Sequence, residues 1–184
     1  MYSKELFEKY PYAFSHYAWT GEVFYEDDTN EPYSLDEDIP KGWSKLFWMC
    51  MEEIREPLEK AGLTNTFYFT QVKEKYGELC LYNNGATEEV LDIISKYEYL
   101  SQFVCDRCGK PADYQTRGWI ENICKKCYKA QYKDKEELRY PIELDLTPIK
   151  LRYMDDRFVE MKQDFTDTWE KYLEKQKIVA KNII

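Results

Sequence analysis

Cys105-Asp106-Arg107-Cys108 is followed, after fifteen residues, by Cys124-Lys125-Lys126-Cys127. Two Cys-x-x-Cys pairs at this separation match the tetrahedral four-thiolate pattern of a structural zinc site. Each pair closes one side of a metal ion, and Gly109 after Cys108 suits the positive φ that such a tight turn requires. The competing readings are two disulfides, a thioredoxin-type redox site or four unrelated thiols. No secretory signal is recognisable, which argues against an oxidising compartment. No βαβ pattern accompanies either Cys-x-x-Cys pair, which argues against the redox motif. The spacing therefore predicts one structural Zn²⁺ held by Cys105, Cys108, Cys124 and Cys127. Four protein thiolates leave no coordination position for water or substrate.

Outward from this cluster, the chain of 184 residues is long enough for one sizeable core and a small satellite. It is 43% hydrophobic and 17% aromatic, with 17 Tyr and 5 Trp, a composition that opposes disorder and favours half-buried aromatic surfaces. No apolar run of about 18 residues is present, so no membrane span is expected and a cytoplasmic location is. Net charge is −9, which opposes wrapping of the whole molecule around nucleic acid. The charge is uneven. Between Tyr10 and Pro40 there is no Lys or Arg, whereas Glu22, Glu26, Asp27, Asp28, Glu31, Asp36, Glu37 and Asp38 are acidic. Residues 105–135 are mildly basic, through Arg107, Lys110, Arg117, Lys125, Lys126, Lys129, Lys133 and Lys135.

The pattern along the chain predicts an α+β fold. Residues 1–40 read as a short helix and then an aromatic segment packed over the core, with Asp27–Asp38 solvated. Trp43, Leu46, Phe47, Cys50, Ile54, Leu58 and Ala61 recur at helical steps and predict one apolar stripe ended by Gly62, with Pro57 as a kink. From Thr66 the period becomes two, and Lys73-Glu74-Lys75-Tyr76-Gly77 reads as the turn of a hairpin that continues through Glu78–Tyr82. Thr87 is placed to cap a second helix over 88–103. Tyr114–Thr116 and Trp119–Ile123 are candidate ribbon strands, 128–139 reads as a charged helix, Pro141–Tyr153 as edge strands broken by Pro148, and 156–176 as a third main helix. The expected architecture is a small antiparallel sheet, hairpin plus edge strands, packed by three main helices. A body of 1–104 and 136–184 would carry the zinc ribbon of 105–135 as an insertion.

Gly42-Trp43-Ser44-Lys45-Leu46 opening a helix, Val72-Lys73-Glu74-Lys75-Tyr76-Gly77-Glu78-Leu79, and a following helix and cysteine ribbon together resemble a family of small proteins encoded by bacteriophages and bacterial prophages. The resemblance covers about residues 42–127 and leaves both flanks outside it. Relatives often carry arginine where this chain has Cys80. The resemblance implies a viral setting and no particular activity.

Catalytic motifs are missing from the pattern. His16 is the one histidine, which opposes histidine-based metalloprotease sites, and beside Phe14 and Tyr17 it reads as packed or solvated. No nucleophile elbow or phosphate-cradling glycine loop appears. Cys50 lies on the apolar stripe and reads as a small buried hydrophobe. Two functional readings follow. The first is a non-enzymatic, zinc-stabilised binding module that docks acidic residues Glu26, Asp27, Asp28, Asp36, Glu37 and Asp38, with Lys73 and Lys75 at the hairpin, on a basic protein such as a host nucleic-acid-handling or defence factor. It would act as a phage-encoded inhibitor. The alternative is nucleic-acid binding by the ribbon, with Arg107, Arg117, Lys125 and Lys126 on phosphates and Trp119 stacked on a base.

Overall fold

The computed structural model describes residues 4–26, 30–133 and 135–142. Asp27 and Asp28, the expected strands beyond Ile142 and the third main helix lie outside the described residues. Within them the fold is α+β, with a large core in the body and a second small one in the ribbon.

The body is built around helix α2, Ser44–Ala61. Gly62, at φ 70°, ends it, and its N–H returns to Glu59 O. The sequence periodicity predicts one apolar stripe, yet Leu46 through Met51 are all buried, while Ala61 is exposed. The difference comes from the N-terminal segment. Helix α1, Lys4–Lys9, and the 3₁₀ turn at Pro11–Ala13 lay Tyr10, Tyr12 and Phe14 over the side of α2 that carries Trp48 and Met51. Tyr10 and Phe14 meet Trp48 edge-to-face at 5.9 and 6.4 Å, and the Tyr12 hydroxyl donates to Met51 O at 3.0 Å.

Strands β1, Phe69–Lys75, and β2, Glu78–Asn83, form the antiparallel hairpin. Its turn is shorter than the sequence reading. Lys73 to Lys75 remain in the strand, and Tyr76 (φ 55°) with Gly77 (φ 77°) makes the two-residue connection, the geometry whose twist matches the flanking strands. Helix α3, Glu88–Ser101, is capped by Thr87 Oγ1, which accepts from Val90 N. It also closes the outer edge of β2, because Ser101 Oγ and Glu98 Oε1 accept from the N–H groups of Leu79 and Leu81 at 2.8 and 2.7 Å. Glu53 of α2 ties α3 down through Lys96 and the Tyr97 hydroxyl.

The ribbon forms its own three-stranded sheet in the order β4-β3-β5, from β3 (Tyr114–Thr116), β4 (Asn122–Ile123) and β5 (Arg139–Pro141). Two expectations shift here. Helix α4 is Lys125–Tyr132, because Cys124 caps it from within the second cysteine pair. The chain then returns as β5 against β3, so residues 139–141 pair with the ribbon instead of extending the hairpin sheet of the body.

Asp36 corrects another expectation. The acidic run reads as solvated, but the Asp36 carboxylate is buried and accepts from Ser34 Oγ and Ser44 Oγ, each at 2.6 Å, and from Trp48 Nε1 at 3.1 Å. It sits at the start of α2, where the helix dipole favours a negative charge. Asp36→Ala strands these donors and is expected to lower unfolding free energy by about 3 kcal/mol in urea denaturation, while Glu37→Ala in the exposed neighbour leaves the midpoint in place.

Gly42 is where body meets ribbon. Its N–H donates to Asp106 O at 2.8 Å, and a Cβ added there would lie 2.0 Å from Cys105 O and 2.6 Å from the Asp106 carbonyl carbon. Gly42→Ala is therefore expected to cost about 3 kcal/mol or more through backbone overlap. Gly85→Ala, where nothing lies within 4 Å, isolates the cost of positive φ alone, about 1 kcal/mol. Equal midpoints for the two variants would contradict the packing described.

Candidate metal centre

The four cysteines that the spacing selects converge. Their Sγ atoms all lie within 4.8 Å of one another, and Cys108 Sγ and Cys124 Sγ are 3.6 Å apart. Thiolates around a single ion at a bond length of about 2.3 Å stand about 3.8 Å apart at the corners of a tetrahedron. A disulfide would require about 2.05 Å. None of the six cysteines is paired in a disulfide. The cluster therefore has the donor set and spacing to hold one metal ion.

Each pair is presented by a turn that the local sequence dictates. In the first, Gly109, at φ 70°, sends its N–H to Cys105 O at 3.0 Å, and Cys105 N–H donates to Lys110 O at 2.7 Å. In the second, Cys127 N–H donates to Cys124 Sγ at 3.5 Å as α4 begins. Lys125 N–H is held at 2.6 Å by Asp113 Oδ2. Behind the sulfurs, Ile123 and Tyr128 are buried with Cys105 and Cys124, and Tyr114 and Tyr132 pack against them. Arg139 lies over the Tyr114 and Tyr128 rings at 4.1 and 4.7 Å.

The thiols respond unequally to this crowding. Burial pushes Cys105 above the ordinary range, and burial and hydrogen bonds with neighbouring thiols do the same to Cys127. Burial also opposes ionisation of Cys108, but hydrogen bonds from Lys110 N–H and the neighbouring thiols outweigh it and lower its pKa. The metal-free cluster thus eases ionisation of Cys108 and resists it at Cys105 and Cys127. A bound cation removes that conflict by deprotonating its ligands outright.

The other predicted residues are scattered. Arg107 is paired with Glu121 at 2.5 Å, and Arg117 lies 4.2 Å over the Tyr140 ring. Lys125 and Lys126 are exposed at the start of α4, and Trp119, 79% exposed, projects from the turn between β3 and β4. Lys73 is half-buried on β1, where Nζ donates to Gln71 Oε1 at 2.7 Å and lies 5.3 Å from the Tyr82 ring. Lys75 is exposed and 5.7 Å from the Tyr76 ring. Glu26 is half-buried, Glu37 is exposed, and Asp38, also exposed, accepts the Tyr33 hydroxyl at 2.8 Å. Asp36 is removed from any accessible surface by its burial. His16 donates through Nδ1 to Phe14 O at 2.8 Å and stacks on Tyr68, and burial lowers its pKa. Cys50 is fully buried, and that burial raises its pKa well above the ordinary value.

Two residues that the sequence reading missed join ribbon to body. Asn122 is fully buried, and its Nδ2 donates to Gly77 O at the hairpin turn and its Oδ1 accepts from Gln115 Nε2. Asp106, only 8% exposed, accepts from Asn122 N at 3.1 Å through Oδ2, while its Oδ1 has no partner. Desolvation raises its pKa to about 7. An unsatisfied buried acceptor of this kind costs about 1–3 kcal/mol. A short polar side chain between two cysteines is an unremarkable sequence feature, so neither role is visible before folding.

No family model, curated protein or solved structure matches this chain. Among the described residues, no helix is long and apolar enough to cross a membrane.

The cluster leads to a direct expectation. Protein purified under reducing conditions should carry about one tightly held metal ion per chain by ICP mass spectrometry, and chelation should lower the melting temperature by about 10 °C or more. Cys105→Ser should reproduce the chelated state, whereas Cys50→Ser, away from the cluster, should retain the metal. Full metal content in the Cys105→Ser protein would contradict the assignment.

Proposed function

We propose that the protein is a non-enzymatic binding module, stapled by one structural Zn²⁺, that docks its acidic N-terminal face on a basic protein. Four thiolates at tetrahedral spacing suit Zn²⁺ and close its coordination sphere, which supports a structural role for the ion.

The observation that carries the docking reading is Trp19, which is 98% exposed. It stands on a turn closed by Gly21 N–H to Tyr17 O at 2.8 Å, with Gly21 at φ 71°. Tyr17 and Tyr25 are also exposed nearby in sequence. An indole held in water by an ordered turn, in a segment with acidic residues and no Lys or Arg, has the composition of an interface anchor. The acidic residues speed encounter with a positively charged partner and make it salt-sensitive. The resemblance to phage-encoded proteins points to a host nucleic-acid-handling or defence factor in the bacterial cytoplasm, whose phosphate-binding surface the acids would occupy as an inhibitor.

The nucleic-acid reading ranks second, because Arg107 is engaged with Glu121 and Arg117 with Tyr140. Lys125, Lys126 and Trp119 remain accessible to it.

Affinity capture from a bacterial host lysate, with nuclease treatment to remove bridging nucleic acid, tests the choice. A stoichiometric basic protein should be recovered, and its binding should weaken with salt and by about 2 kcal/mol or more, roughly thirtyfold, in Trp19→Ala. Unchanged capture by Trp19→Ala, together with a gel shift that is lost on replacing Lys125 and Lys126, would overturn this reading in favour of the second.

A further inference from the structure

Tyr68 immediately precedes β1, between the buried Phe67 and Phe69, and the in–out alternation that leads into the strand turns its ring away from the core. Asn84, just after β2, brackets its backbone. Tyr68 N–H donates to Asn84 Oδ1 at 3.1 Å, and Tyr68 O accepts from Asn84 N at 3.2 Å. The half-buried Tyr68 side chain meets the N-terminal segment on both sides of Trp19. His16 stacks on it, with ring centroids 5.2 Å apart and planes at 24°. The Tyr68 hydroxyl donates to Ala18 O at 3.3 Å. Gly21 lies so close that an added Cβ would be 3.3 Å from Tyr68 Cε1. We infer that Tyr68 is the positioning residue of the Trp19 anchor, holding its turn so that a basic protein partner meets a preformed indole. The inference rests on the docking reading above and names what fixes its central contact.

The turn has bonds of its own, from Tyr17 N–H to Glu22 O at 2.8 Å and from Thr20 N–H to Tyr17 O at 3.2 Å. These shape it but do not aim it, because both partners belong to the same segment. Aim requires contact with the body. Tyr68 supplies two such contacts that a displaced turn would lose together, a ring against Gly21 and a hydroxyl on Ala18. Gly21, at φ 71°, lacks the side chain that would keep the backbone off that ring.

A turn free to swing would hold the indole in a binding orientation for only a fraction of the time, and apparent affinity falls by that fraction. Ordering the turn in advance removes that loss, together with the conformational entropy of fixing it on contact. Tyr68 is not one of the acidic residues, so its contribution adds to theirs without altering the electrostatics of encounter.

Backbone heteronuclear NOEs of the metal-loaded full chain test the hold without any partner. Amides of Ala18, Trp19, Thr20 and Gly21 should be as rigid as those of the core helices, and should fall to flexible-loop values in Tyr68→Ala. The indole signals of buried Trp43 and Trp48 should stay in place. Tyr68→Phe keeps the ring and should keep most of the rigidity. Gly21→Ala, which pushes a methyl against the same ring from the segment side and leaves the body alone, should loosen the same amides. Flexible amides in the native protein, or rigid ones in both alanine variants, would overturn the inference.

With the basic protein recovered by the native chain, Tyr68→Ala should weaken binding at least about fivefold at an unchanged salt dependence. It should cost nothing further in a Trp19→Ala background, whereas a general loss of stability would add to that variant. An additive loss in the double variant, or a loss in Trp19→Ala alone, would overturn the inference and leave the docking reading standing. Unchanged binding in both single variants would overturn the docking reading and the inference with it.

Discussion

The approach of the Gly42 backbone to the peptide joining Cys105 and Asp106 is the constraint on which the remaining structure depends. At this point the entry to α2, the core helix of the body, touches the first cysteine turn with no side chain between them. The contact is double. Gly42 N–H donates to Asp106 O, and a Cβ at Gly109 would in turn lie 2.8 Å from Gly42 O. Trp43, fully buried in the body, sends Nε1 to Val104 O, just before Cys105, at 3.0 Å. A ribbon whose own core consists of a few side chains has too little apolar area to be rigid alone. The four convergent cysteines close it internally, and the glycine contact holds it against the body.

The hairpin makes the second half of the same seam. Gly77 brings the turn close enough for Asn122 to bond its carbonyl, and a Cβ there would meet Ile120 Cγ2 at 2.7 Å. Gly42 and Gly77 are thus both places where the body touches the ribbon, and Trp43 bonds the carbonyl just before Cys105. Their residue types follow from that contact, since close backbone approach admits only glycine and the tryptophan supplies one long donor to the adjoining chain.

What the sequence discloses divides along the same physical line. The four clustered cysteines, the two long helices and the hairpin were legible because each is a local pattern: a spacing, a period or a cap. Asp36 was not. Its solvated neighbours Glu37 and Asp38 share its chemistry, and only the arrival of Trp48 and Ser44 from α2 distinguishes it. Leu46 to Met51 exceed one apolar stripe for the same reason, because a segment distant in sequence covers the side of the helix that carries Trp48 and Met51. Trp19 and Trp48 read alike as aromatic residues, yet one lies in water and the other in the core. The pairing of β5 with β3 also depends on a non-local contact, which a short strand with proline at its end does not announce.

The distribution of charge gains meaning from this geometry. The mildly basic ribbon exposes lysines such as Lys125 and Lys126, while Arg107, Arg117 and Arg139 are each held by a carboxylate or an aromatic ring of the ribbon itself. Its guanidinium groups therefore serve the small domain's packing, replacing apolar area that so short a sheet cannot supply. Among the described acidic residues of the N-terminal segment, Asp36 is drawn inside as a helix anchor, while Glu22, Glu37 and Asp38 remain exposed. Exposed carboxylate in the N-terminal segment and exposed lysine in the ribbon therefore lie on different parts of the chain, and a charged surface of either sign would meet them unequally.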